Sequence, residues 1–142
     1  MGKFFESLNR VLIAGVVLAV VAFLILHLAN FEGAVYLKFI LRAIHVWLGI
    51  LWIGLLYYFN FVQMPSMPKI PDEQKPAIGK VIAPAALFYF RWAAAGTMLL
   101  GLLLAGDNGY LVQALTFQPG SQTIGLGLWL GLIMGVNVWA VI

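Results

Sequence analysis

Four long apolar runs dominate this sequence and restrict what it can fold into. The first, residues 11–29 (VLIAGVVLAVVAFLILHLA), contains no Asp, Glu, Lys or Arg, and further runs lie at 43–62, 84–106 and 123–142. About 20 helical residues cross the roughly 30 Å hydrocarbon layer of a membrane. The runs lack the alternation of barrel strands, and lipid offers no partner to an unpaired backbone group. The sequence therefore predicts an all-α, polytopic transmembrane bundle of about four helices.

Composition supports this prediction and excludes several classes of protein. Hydrophobic residues make up 63% of the 142 positions and charged residues 9%, whereas a soluble domain carries roughly 25% charged residues. The absence of cysteine excludes disulfides, thiolate metal sites and the C-x-x-C-H attachment of a c-type haem from this sequence. A net charge of +3 provides no basic surface for nucleic acid. The expected partner is the lipid bilayer.

The connecting segments predict the rest of the architecture. Residues 64–76 (MPSMPKIPDEQKP) hold four of the six prolines and form the main polar loop, so no membrane helix is expected to cross there. Residues 77–83 predict a short interfacial helix. An aromatic cluster at the start of the third run predicts an interfacial belt; its members are Phe88, Tyr89, Phe90 and Trp92. The last run ends inside its own helix, which predicts a single domain, 1–142, truncated at that end.

The basic residues predict the orientation in the membrane. Lys and Arg gather on the cytoplasmic side of membrane proteins. Two basic residues precede the first run and three follow the second; they are Lys3, Arg10, Lys69, Lys75 and Lys80. These positions favour a multi-pass protein of the bacterial inner membrane with a cytoplasmic amino terminus. Lys38 and Arg42 argue for the opposite orientation.

Two histidines are candidate haem ligands. His27 ends the first run and His45 begins the second, so antiparallel helices would place both in the outer leaflet, where two imidazoles could hold a b-type haem. Arg42, Gly49 and Trp52 recur with His45 at helical spacing, and the arginine could meet a haem propionate. The alternative is that each histidine simply hydrogen-bonds a neighbouring helix.

A second candidate site lies toward the cytoplasmic side. Arg91 is placed inside an apolar run, where a charge requires a partner, a water-filled cavity or a lipid headgroup. Asn60, Gln63 and Asn137 could add amide donors and acceptors, and such a set would suit a planar anionic ring. The alternative is an arginine that reaches a lipid phosphate. Two ladders of small residues predict close helix packing; they are Ala93, Thr97, Gly101 and Ala105, and Gly127, Gly131 and Gly135.

Three segments carry a resemblance to a known family. HVWLGILWIGLLYYFNFVQMP (45–65), APAALFYFRWAAAGTMLLGLLL (83–104) and GLIMGVNVWAVI (131–142) resemble the membrane domain of bacterial urate hydroxylases, the membrane urate oxidase amino-terminal domain. The resemblance implies an oxidoreductase of purine catabolism that converts urate to 5-hydroxyisourate and passes electrons to a respiratory partner such as a cytochrome. The positions that match the family pattern are His45, Trp47, Trp52, Asn60, Arg91 and Asn137.

The sequence leaves two functions open. In the first, the chain is the membrane part of a urate hydroxylase, with urate near Arg91 and a haem at His45. In the second, it is a non-catalytic accessory subunit packed into a larger respiratory or photosynthetic membrane complex, because fold does not determine function.

Overall fold

The computed structural model describes residues 6–27 and 32–140, and all regular secondary structure within these ranges is helical. The α-helices are α1 (Leu8–His27), α2 (Gly33–Tyr57), α3 (Met64–Ser66), α4 (Lys75–Ala77), α5 (Ala83–Asp107), α6 (Leu111–Leu115) and α7 (Gln122–Ala140). Two π-helices, Tyr58–Gln63 and Ile78–Ile82, and a 3-10 helix, Met67–Lys69, connect some of them. The all-α prediction is confirmed.

Within the described residues, four helical segments are long and apolar enough to cross a membrane; they are Leu8–Leu26, Gly33–Lys69, Lys75–Asp107 and Gln122–Ala140. The second and third contain 37 and 33 residues and extend beyond the apolar runs that predict them. Hydropathy marks only the part of a helix that suits lipid, whereas helical hydrogen bonding continues into the polar loop. Three of the four loop prolines permit this, because Pro65, Pro68 and Pro76 occupy first-turn positions of α3, the 3-10 helix and α4, where no amide donor is needed.

The chain divides into two compact units, Met1–Leu37 and Lys38–Ile142. In the first unit, the apolar side chains of α1 are largely exposed, and the rings of Phe23 and Tyr36 meet edge to face at 5.2 Å. The second unit contains the buried core and both cavities described below.

The core of the second unit is small and largely aromatic or alanine; its buried members are Trp52, Phe90, Ala93, Ala94 and Val138. Phe59 packs edge to face on Phe90, with ring centroids 5.7 Å apart. Phe90 is only 1% exposed, so its predicted place in an interfacial belt is wrong. Neighbouring residues on a helix point in different directions, so Phe90 faces the core while Phe88, Tyr89 and Trp92 stay exposed.

Three glycines mark where elements of the second unit approach closely. A Cβ atom at Gly96 would lie 2.6 Å from Leu48 Cδ1, and one at Gly135 would lie 2.0 Å from Met98 Sδ. At Gly125 the obstacle is backbone, because a Cβ would lie 2.1 Å from the Ala114 carbonyl oxygen. The indole Nε1 of Trp129 donates to the Leu115 carbonyl oxygen at 3.0 Å. The contacts of Gly125 and Trp129 hold α6 against α7.

We expect Gly125→Ala to destabilise the second unit, because the Ala114 carbonyl can move only if α6 moves. Overpacking of this kind costs about 1–3 kcal/mol. The measurement is thermal unfolding in detergent. Gly54→Ala is the matched control, because a Cβ there meets nothing within 4 Å. Equal melting temperatures for the two variants would contradict the α6–α7 contact.

Candidate functional site

A cavity of about 520 Å³ lies between α2, α5 and α7, within the range of roughly 300–1,000 Å³ typical of ligand and cofactor sites. Its polar lining residues are Arg42, His45, Thr97, Asn108 and Tyr110. The other walls are apolar or glycine, and Gly127 and Gly131 form part of them. A Cβ at either glycine would meet nothing within 4 Å. These two positions of the predicted α7 packing ladder therefore widen a cavity, and only Gly135 is in tight contact.

His45 is oriented by one hydrogen bond across two helices. Its Nδ1 lies 2.9 Å from the Thr97 carbonyl oxygen. A carbonyl oxygen only accepts, so Nδ1 must carry the hydrogen and the uncharged ring keeps its lone pair on Nε2. Nε2 makes no hydrogen bond with any described residue. A histidine held by a backbone carbonyl through one nitrogen, with the other nitrogen available, has the arrangement typical of a metal ligand.

Gly101 permits this orientation of the imidazole. A Cβ at position 101 would lie 3.1 Å from His45 Cε1 and 3.6 Å from Nδ1, so the ring lies directly against the glycine backbone. Thr97 directs its own hydroxyl along α5, where Oγ1 donates to the Ala93 carbonyl oxygen at 2.8 Å. Its backbone carbonyl is thus the group that meets His45.

Polar groups at the cavity provide further binding capacity. Arg42 is exposed and takes part in neither ion pair found among the described residues, Lys38–Asp107 at 3.0 Å and Lys75–Asp72. Trp52 also lines the cavity, but its Nε1 is buried and has no hydrogen-bond partner among the described residues. The site therefore offers a cation and an imidazole lone pair.

A second cavity, of about 470 Å³, lies beside Arg91; its lining residues are Pro84, Leu87, Phe88, Arg91, Trp92 and Trp139. Arg91 Nε is buried and has no hydrogen-bond partner among the described residues. The aromatic rings are in contact. The ring centroids of Trp92 and Trp139 lie 5.7 Å apart in an edge-to-face arrangement, and those of Trp92 and Phe88 lie 6.3 Å apart with the rings tilted.

The three amides predicted to join Arg91 do not line its cavity. The exposed Asn60 donates from Nδ2 to the Leu56 carbonyl oxygen of its own helix at 2.8 Å. Gln63 Oε1 is buried without a partner, and Asn137 is exposed. No hydrogen bond joins any two of these four residues in the described part of the chain. Their joint role in substrate binding stays a prediction.

The structure describes some of the predicted haem residues but not the side chain of His27. Arg42, His45 and Trp52, singled out by helical spacing, line one cavity, whereas the side chain of His27 lies outside the described residues. Thr97, Asn108 and Tyr110 were not predicted as site residues. The only sequence signal for them was the small-residue ladder around Thr97, which indicates a surface that another side chain can approach.

Comparisons with protein-family models, with curated proteins and with solved structures found no match. Among the described residues, no group of three or more His, Cys, Asp or Glu side chains could hold a metal ion.

We expect ¹⁵N NMR of histidine-labelled protein in a His27→Gln background to show the hydrogen of the uncharged His45 ring on Nδ1. Gly101→Ala should shift that hydrogen toward Nε2, because the added methyl displaces the ring from the Thr97 carbonyl. Gly49→Ala is the matched control from the same helix contact, since its Cβ would lie an ordinary 3.8 Å from Thr97 Cγ2. If Gly101→Ala leaves the ¹⁵N shifts of His45 unchanged, the proposed role of Gly101 is wrong.

Proposed function

We propose that this chain is a multi-pass protein of the bacterial inner membrane, with its amino terminus in the cytoplasm, and that it serves as the membrane subunit of an oxidoreductase. Four helices with the length and hydropathy for crossing support membrane insertion. The distribution of Lys and Arg supports the orientation. The His45 cavity carries the redox part of the proposal.

The residues of the His45 cavity fit a b-type haem. His45 Nε2 would hold the iron, and Arg42 would pair with a propionate. The absence of side chains at Gly127 and Gly131 leaves room for a flat ring. His27 is the predicted second ligand. When bound, a haem supplies one-electron transfer, while the residues of the chain orient it and exclude water.

The substrate follows from the resemblance to urate hydroxylases and from no contact in the structure. On that ground the proposed reaction is the conversion of urate and water to 5-hydroxyisourate, in which water supplies the added oxygen. Two protons are released, and two electrons would leave one at a time through the haem to a respiratory partner such as a cytochrome. The site of urate binding is a separate question, because Arg91 and the predicted amides do not share a cavity.

A second function, that of an accessory subunit in a larger membrane complex, is favoured by bare helix surfaces. A Cβ at Gly15 or at Gly54 would meet nothing within 4 Å, and exposed apolar side chains surround both positions. Small residues on membrane helices allow another helix to approach closely. This function predicts a chain without haem that purifies in fixed ratio with other membrane subunits.

We expect protein purified from haem-replete membranes to show a Soret band that shifts on addition of dithionite. His45→Ala should reduce haem content at least about tenfold, because loss of even an outer-shell partner of a metal ligand costs 10–100-fold in affinity. Gly54→Ala, remote from the cavity, is the matched control and should keep its haem. A wild-type protein without a Soret band would contradict the redox proposal and favour the accessory subunit.

Urate turnover tests the substrate independently of the haem. We expect membranes containing the chain to consume urate when an artificial electron acceptor is present, and the His45→Ala variant to lose this activity. The measurement is the decline of urate absorbance. Protein that contains haem but leaves urate unchanged would contradict the substrate while leaving the haem proposal intact.

A further inference from the structure

Arg91 is a charge without a counter-ion among the described residues. Neither of the ion pairs found there includes it, and its cavity has no acidic wall. A charged side chain inside the membrane costs about 2.5–3.5 kcal/mol at the centre and less toward the edge. This cost points to an anionic ligand from outside the chain.

The Arg91 cavity opens on an apolar surface. Three of its aromatic walls are largely exposed: Phe88 is 58%, Trp92 58% and Trp139 48% accessible. Exposed aromatic rings of this kind gather at the boundary between hydrocarbon and headgroups, where an apolar body and a polar tip are both accommodated. A ligand that approaches through this surface must therefore have an apolar part as well as an anionic group.

The depth of Arg91 agrees with that boundary. The ion pair between Asp107 and Lys38 marks the polar end of α5. Arg91 lies 16 residues before Asp107 on the same helix, which is about 24 Å at ~1.5 Å per residue. Trp139 lies 17 residues after the start of α7, or about 26 Å. With a hydrocarbon layer of roughly 30 Å, both side chains lie just inside the edge opposite Asp107. From there an arginine reaches the phosphate level.

We propose that the Arg91 cavity is a binding site for an anionic glycerophospholipid, with the guanidinium on the phosphodiester and the acyl chains against Trp92 and Trp139. Arginine matches phosphate because its planar fork donates two parallel hydrogen bonds. A free planar anion such as urate is disfavoured, because the cavity opens on an apolar surface. The amides that were predicted to hydrogen-bond such a ring do not line the cavity. The lipid would belong to the leaflet opposite the Lys38–Asp107 pair.

The test is native mass spectrometry of detergent-purified protein supplied with phosphatidylglycerol. We expect wild-type protein to retain one lipid molecule, and Arg91→Gln to retain at least about tenfold less. Arg10→Gln is the matched control, since it removes the same charge from an exposed position on α1 and should retain the lipid. Equal retention by Arg91→Gln and the wild type would overturn the proposal.

Arg91→Lys provides a variant that keeps the charge if Arg91→Gln does not fold. A lysine keeps the charge but loses the paired hydrogen bonds of the guanidinium, so this variant should retain less lipid than the wild type and more than Arg91→Gln. A second measurement compares thermal stabilisation by phosphatidylglycerol, urate and inorganic phosphate. Stabilisation by the lipid alone supports the proposal. Stabilisation by urate or phosphate that depends on Arg91 would replace the lipid with a free anion and overturn it.

Discussion

The contact between α2 and α5 is the constraint on which the His45 cavity depends. Leu48 packs against the bare face of Gly96, and His45 lies against Gly101 while its Nδ1 donates to the Thr97 carbonyl. Hydrogen bonds between membrane helices contribute only about 0.6 to 2 kcal/mol, so side-chain packing, such as Leu48 against Gly96, must supply most of the attraction. The hydrogen bond matters more for direction, because it determines which imidazole nitrogen faces a ligand.

The amino-acid sequence predicts the helices of this fold better than it predicts where they end or which side chains they bury. The existence and number of the long helices follow from hydropathy, a property of each segment alone, and the all-α class is confirmed. Helix ends do not follow, because three of the four prolines of residues 64–76 fall at first-turn positions that a helix tolerates. The burial of Phe90 was missed for a related reason: three other aromatic residues nearby do face outward, and only the rotation of α5 decides which one faces the core.

Part of the candidate site is predicted by the sequence and part is not. Helical spacing within α2 places Arg42, His45 and Trp52 on one face, and the three residues line one cavity. The partner of His45 is a backbone carbonyl on another helix, which leaves no mark in the residue types. The amides predicted to join Arg91 show that a suitable residue type does not by itself make a site. Asn60 has a suitable side chain at a suitable depth, yet its amide is engaged by the Leu56 carbonyl of its own helix, a local bond that competes with any site.

Distances along the helices place the His45 cavity near one end of α2. Along α2 and its continuation, seven residues separate His45 from Lys38 and 24 separate it from Lys69, or about 10 Å and 36 Å at ~1.5 Å per residue. The mouth at Asn108 and Tyr110 lies at the near end. In the proposed membrane orientation, a molecule in the compartment beyond the Lys69 end would have to act through almost the whole thickness of the bilayer. The lysines at 69, 75 and 80, which this orientation assigns to the cytoplasm, would then also determine which compartment the cavity serves, and a chain inserted in the opposite orientation would be intact yet connected to the wrong compartment.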